Sequence, residues 1–239
     1  MEIFLGIINV IGIVSFAAAG AMVAIDKETD LFGVIFLAVT TCFGGGFMRD
    51  VIVGDGLPAF FGMHLELAVS VSTALVVFLA AKLFRNEYVA EVQTVNRINN
   101  VLDALGLGVF AASGTAIYIH LGPLVAIIMG MLSSVGGSLI RDVILRDIPF
   151  ILRKRIYAVA VLAGSSLYYV ISEILMKGIE SADVVATLAC MATILSIRMC
   201  ATHFKWNLPK AIVFSEQTKE KKEASAVASS VTDNSKQGK

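Results

Sequence analysis

Charge is what this sequence has least of. Only 16% of its 239 residues are Asp, Glu, Lys or Arg, and nineteen basic side chains balance nineteen acidic ones. Without a basic excess the chain offers no footprint for a phosphate backbone, which excludes a nucleic-acid partner. Low charge beside 57% hydrophobic residues also excludes an intrinsically disordered protein. The three cysteines, Cys42, Cys190 and Cys200, are too few and too scattered for a disulfide-stapled scaffold or a metal site. Each lies in an apolar run and reads as a small buried hydrophobe. No basic segment or small-residue cleavage site follows Met1, so no removable signal peptide is expected. There is no His-Glu-x-x-His, no nucleophile beside a base and no catalytic aspartate pair, so an enzyme is not expected and no cofactor is called for.

What is present in excess is apolar length. The mean hydropathy is +0.82, more than one soluble core can absorb. A helix needs about 20 mostly apolar residues to cross a bilayer, and seven stretches qualify: 3–24, 31–53, 64–81, 101–119, 123–145, 156–173 and 184–202. Period-two alternation is absent, so the fold class is an all-α polytopic membrane protein, not a β-barrel. His64, Glu66 and His120 fall at span ends and read as interfacial; His203 precedes the tail and carries no metal signature. From about Ser215 the chain turns into a Lys/Glu/Ser/Ala tail that reads as a disordered extension.

Lys and Arg are retained on the cytoplasmic side. With the N-terminus outside, the inner loops carry Lys27, Lys82, Arg85, Arg97, Arg146, Arg153, Lys154 and Arg155, and the outer loops only Lys177. The expected topology is therefore N-terminus outside and C-terminus cytoplasmic. Arg49 and Arg141 are placed within the membrane, and Arg198, near the inner end of span seven, is expected to snorkel to that surface.

The chain also contains itself twice. Gly44 to Ile52 read Gly-Gly-Gly-Phe-Met-Arg-Asp-Val-Ile; Gly136 to Ile144, ninety-two residues on, read Gly-Gly-Ser-Leu-Ile-Arg-Asp-Val-Ile, and Asp55 matches Asp147. Phe16–Gly20 matches Phe110–Gly114, with Asn9 opposite Asp103, at an offset of ninety-four. Each copy holds three spans, and an odd number of crossings inverts the second copy. The expected organisation is a first three-helix repeat over 1–97, an inverted second repeat over 98–177, a seventh helix over 178–204 and a tail over 205–239.

Three successive glycines, each costing about 1 kcal/mol in a helix interior, predict a kink or unwound turn at Gly44, Gly45 and Gly46, and likewise at Gly136, Gly137 and Ser138. Irregular backbone at membrane depth lines water or is buried in protein, so these segments are expected to line a path; close helix packing is the competing reading. An arginine at mid-bilayer costs about 2.5–3.5 kcal/mol, so Arg49 and Arg141 need partners. Asp50 and Asp142 are their sequence neighbours, and adjacent residues on a helix do not face each other. Freed carbonyls or a carboxylate of the other repeat are the partners this geometry favours. Asp103, in the first turn of span four, reads equally as a pore residue or a helix cap. Small-xxx-small spacings such as Ser15/Ala19 and Gly108/Ala112 speak to tight packing.

Seven spans, two three-helix copies and the doubled glycine–Arg-Asp motif resemble the prokaryotic relatives of the TRIC proteins, the trimeric intracellular cation channels, a family also described in part as glycine transporters. The resemblance covers roughly residues 1–205. It implies a homotrimer with a pore in each subunit, kinked second and fifth spans, potassium and sodium as permeant ions, and a location in the surface (cell) membrane; a chain that spans a bilayer also has membrane lipids as its expected partners. Because fixed positive charge repels cations, each arginine in a cation path is expected to be neutralised by a carboxylate, Asp50, Asp142 or Asp103. The alternative is a carrier or facilitator for glycine or another small zwitterion, with Arg49 or Arg141 clamping its carboxylate.

Overall fold

The computed structural model describes residues 2–54, 56–153, 156–179 and 181–204. Asp55, Lys154, Arg155 and the tail from residue 205 lie outside the described residues. Among the described residues, seven helices are long and apolar enough to cross a membrane: α1 (Glu2–Asp26), α2 (Leu31–Val53), α3 (His64–Leu83), α4 (Val92–Ile117), α5 (Pro123–Ile144), α6 (Tyr157–Tyr169, extended by a wider turn over Val170–Leu175) and α7 (Ala182–His203). Short helices Arg85–Ala90 and Phe150–Arg153 lie between α3 and α4 and between α5 and α6.

Local chemistry sets several of the ends. Asp30 caps α2 by accepting a hydrogen bond from the Gly33 amide at 2.8 Å. Gly54 closes α2 with φ 70, a left-handed conformation that costs glycine little. Gly122, at φ 92, turns the chain into Pro123, whose missing amide proton is no loss at a helix start.

The core joins α1, α2, α4 and α5. α1 runs antiparallel to α4: Phe16 stacks on Phe110 with ring centroids 5.2 Å apart, Gly12 faces Val109 and Gly106 lies against the Phe16 ring. α2 packs most extensively on α5 and is antiparallel to it. On α2 and α5 the contacts come as a pair at the offset of ninety-two, Gly45 on Ser133 and Gly137 on Thr41, and the stacked rings Phe16 and Phe110 are themselves matches at ninety-four. α3 covers the α1–α2 side, while α6 and α7 cover α4 and α5.

Several expectations are revised. The glycine triplets do not unwind their helices: α2 and α5 are continuous through 44–46 and 136–138. α4 begins at Val92, so Asp103 lies well inside the helix, not in its first turn. Arg198 does not snorkel; it is 4% exposed. Cys42 and Cys190 are buried, but Cys200 is exposed on α7.

Candidate functional site

The glycines act through contact. A methyl group at Gly45 would overlap the carbonyl oxygen of Ser133, and one at Gly137 the carbonyl oxygen of Thr41. Added carbons at Gly44 and Gly136 would lie 3.0 Å from the Gly137 Cα and 2.8 Å from the Gly45 Cα. The helices thus cross backbone to backbone, the close approach that small residues permit. Gly46 differs: its added carbon would meet nothing nearer than Arg49 Nη2 at 3.8 Å. Its counterpart in the second copy is Ser138, which already carries a side chain.

A turn after each triplet stands an arginine clamped to the aspartate beside it. Arg49 donates through Nε and Nη2 to Asp50 Oδ1 at 2.8 and 2.6 Å, and through Nη1 to Ser133 Oγ at 3.3 Å. Arg141 donates in the same way to Asp142 Oδ1 at 2.9 and 2.8 Å. Of the expected partners, the neighbouring carboxylates Asp50 and Asp142 take the charge, and no carboxylate of the other repeat does so among the described residues. Neighbouring Cβ atoms diverge around a helix, but three methylenes let the guanidinium fold back. The other repeat supplies the Ser133 hydroxyl instead. The Arg141–Asp142 pair is almost fully buried, with side chains 4% and 6% exposed.

Around Arg49 lies a cavity of about 350 Å³. It opens among the start of α1, the ends of α2 and α4, and the start of α7; its polar lining includes Asn9, Asp50, Ser113 and Asp183, and Gly46 is its one glycine. Asp50 Oδ2 accepts from the Ala59 amide at 2.9 Å. The Tyr118 ring lies 5.8 Å from the Arg49 guanidinium carbon.

The Arg141 half is packed shut. The space between Val23, Asn99, Asn100, Asp103 and Arg141 is about 20 Å³, room for one water. Asp103 Oδ2 accepts from Arg198 Nη2 at 3.0 Å, and Asp103 Oδ1 from the Tyr157 hydroxyl at 3.3 Å. Ser138 Oγ lies 3.1 Å from that hydroxyl. Arg198 and Tyr157 are the residues that sequence reasoning missed. The available signal was bookkeeping: once each Arg-Asp dipeptide was closed on itself, Arg198 was the arginine left over inside the spans, and Asp103 one of three carboxylates left there with Glu66 and Glu173.

Seven membrane-length helices with paired charges in the interior and a mainly apolar cavity beside Arg49 make this a multi-pass membrane protein, and its relatives place it with channels and transporters, not with enzymes. A family model described as "Glycine transporter" matches residues 6–82 and 100–173. The inner membrane protein YadS of Escherichia coli K12 is 34% identical over 205 residues, covering 84% of this chain and 93% of the relative. A chain solved in connection with conductance through TRIC cation channels is 30% identical at a TM-score of 0.74, covering 88% of this chain and 98% of that one. The TRIC trimeric intracellular cation channel orthologue from Rhodobacter sphaeroides is 27% identical at a TM-score of 0.70, covering 85% and 99%. The chain belongs to this glycine transporter family, within the group whose solved structures are TRIC channels.

Proposed function

We propose that the chain is a monovalent cation channel, conducting potassium and sodium along a path inside each subunit of a homotrimer, bounded by α1, α2, α4 and α5. The observation that carries this reading is the commitment of both arginines. Free guanidinium groups would repel cations, but Arg49 and Arg141 are each neutralised by their own neighbour. In the Arg49 cavity, Arg49 and Asp50 cancel and Asp183 remains, so the lining is net negative. A zwitterion's carboxylate would have to compete with Asp50 for the Arg49 fork. The solved relatives named as cation channels support conduction, and the orthologue named as trimeric supports the assembly.

The two repeats, 1–97 and 98–177, are inverted copies in this reading; the antiparallel α1–α4 and α2–α5 contacts at constant sequence offset support that. Gly46 lines the path, while Gly44, Gly45, Gly136 and Gly137 hold its walls together. The N-terminus is outside and the C-terminus cytoplasmic. The Lys27–Asp147 pair at 2.6 Å and the Tyr88–Asp26 hydrogen bond at 3.2 Å support a shared end for the loops assigned inside.

One feature favours the second reading, a glycine carrier: the cavity occupies one half only, as alternating access requires. Purified protein in liposomes and planar bilayers discriminates. The channel gives unitary currents whose reversal follows the potassium gradient. Saturable glycine counterflow without unitary currents would overturn the channel reading.

A further inference from the structure

One buried ion pair, Arg198 on Asp103, has no counterpart in the other half of the molecule among the described residues. In the Arg49 half, Asn9 is neutral and lines an open cavity. In the Arg141 half, its sequence counterpart is Asp103, and Arg198 lies on it from α7, a helix with no counterpart in either copy. That half is closed. From this asymmetry we propose that Asp103 and the Tyr157 ring, braced through its hydroxyl by Ser138, form a binding site for a guanidinium or alkylammonium cation, which the chain's own Arg198 occupies as a tethered plug. The inference rests on the cation-path reading and names the site that closes the path.

The cage has the chemistry of a cation receptor. Arg198 places its guanidinium carbon 4.3 Å from the Tyr157 ring centroid and one nitrogen 3.0 Å from the Asp103 carboxylate. A carboxylate at one side and an aromatic face at the other is how organic cations are held when desolvated. Asp103 is 7% exposed, Tyr157 1% and Ser138 2%, so the site is buried. The Tyr157 hydroxyl, between Asp103 and Ser138, fixes the ring.

Arg198 is also held differently from the two clamped arginines. Arg49 and Arg141 each donate two hydrogen bonds to one carboxylate oxygen, through Nε and Nη2. Arg198 donates to Asp103 through Nη2 alone, and its buried Nε has no hydrogen-bond partner among the described residues. A guanidinium with an orphaned donor is held less tightly than one bound as a fork. Arg198 is thus the arginine that can leave, and its departure exposes a carboxylate and a ring face to a cation in the path.

The test uses the full chain in planar bilayers, comparing wild type with Arg198→Ala. Removing the plug raises open probability about tenfold, the ratio supplied by one charge-assisted hydrogen bond's worth of bias. Low-millimolar guanidinium, added on the side of Lys27 and Asp147, closes Arg198→Ala again and leaves wild type unaffected. In detergent, the same guanidinium raises the melting temperature of Arg198→Ala and not of wild type. Wild-type gating in the variant, or guanidinium block of both proteins alike, overturns the proposal. Should Arg198→Ala fail to fold, Asp103→Asn/Arg198→Ala leaves no widowed charge. It is expected to conduct above wild type and ignore guanidinium; conductance at the wild-type level overturns the plug. If wild type passes no cation current, the channel reading falls. The melting-temperature comparison then decides the site: a shift confined to Arg198→Ala supports it, and no shift overturns it.

Discussion

Single alanine substitutions along Gly44–Gly46 separate contact from flexibility at the α2–α5 crossing. If the glycines served as a hinge, all three would matter alike. The structure ranks them instead. At Gly45 the obstructing atoms are the backbone of Ser133, which cannot rotate away, so the helices must part. Overpacking of this kind costs up to about 3 kcal/mol, offset by the roughly 1 kcal/mol that alanine gains over glycine in a helix. The net loss for Gly45→Ala is about 2 kcal/mol, and Gly137→Ala, against the Thr41 carbonyl, should match it. At Gly46 the nearest atom is 3.8 Å away, an ordinary contact, so Gly46→Ala keeps the helix gain of up to about 1 kcal/mol. The gap between Gly45→Ala and Gly46→Ala is then about 3 kcal/mol, or roughly 6–12 °C in melting temperature for a chain this size. The assay is thermal unfolding of purified variants in one detergent, read as loss of the monodisperse species. Equal drops for Gly45→Ala and Gly46→Ala would refute the contact argument and restore the hinge.

Further outcomes follow from the same geometry. Arg141→Ala leaves Asp142 buried without the two hydrogen bonds that Arg141 donates to its Oδ1 and should destabilise by about 3–5 kcal/mol, with Arg141→Ala/Asp142→Ala recovering much of the loss in the same unfolding assay. Gly106→Ala drives a methyl group into the Phe16 ring. Its cost should largely vanish in a Phe16→Leu background, giving a double-mutant coupling of about 1 kcal/mol or more; strict additivity would count against the contact. Lys27→Ala removes an ion pair whose side chains are 41% and 37% exposed, so the loss should stay under about 1 kcal/mol and shrink further in high salt. A cysteine placed at Lys177 should react with a membrane-impermeant thiol reagent in intact cells, and one at Lys82 only after permeabilisation; the reverse pattern would invert the topology.

How much of this was legible in the sequence depends on the range of the interaction. The seven helices were readable because each is a local run of apolar residues, and their ends moved by a few residues except at α4. There, Val92–Asn100 is polar enough to pass for a loop yet continues the helix, which carried Asp103 away from the helix end. The glycine triplets were legible as special but not as to why, since unwinding and backbone contact both require the missing Cβ. Only the position of Ser133 and Thr41 on the facing helices separates the two. Asp50 was legible as one of three candidate neutralising carboxylates but not as the partner itself, because the Cβ directions of adjacent helix residues argue against a pairing that the long arginine side chain still reaches. The Asp103–Arg198 pair joins residues ninety-five positions apart, and no local pattern connects them.

The pairing of each arginine with its own neighbour explains how a chain with so little charge keeps four of its charged side chains within the second and fifth spans. An arginine that relied on the opposite repeat would be left bare whenever the two repeats moved apart, at the cost of a lone buried charge. Arg49 and Arg141 carry their counter-charge on the same helix, so α2 and α5 can shift without widowing either one. What crosses between repeats is weaker and replaceable: the Ser133 hydroxyl on Arg49 at 3.3 Å, and backbone contact at the glycines. Arg198 breaks this pattern, since its carboxylate sits on another helix. Motion of α7 against α4 must therefore separate a charge pair, whereas motion of α2 against α5 does not. Asp103→Glu, which lengthens the tether by one methylene, should consequently alter gating while leaving ion selectivity unchanged. A change of selectivity without a change of open probability would show that this pair lines the filter of the path and does not gate it.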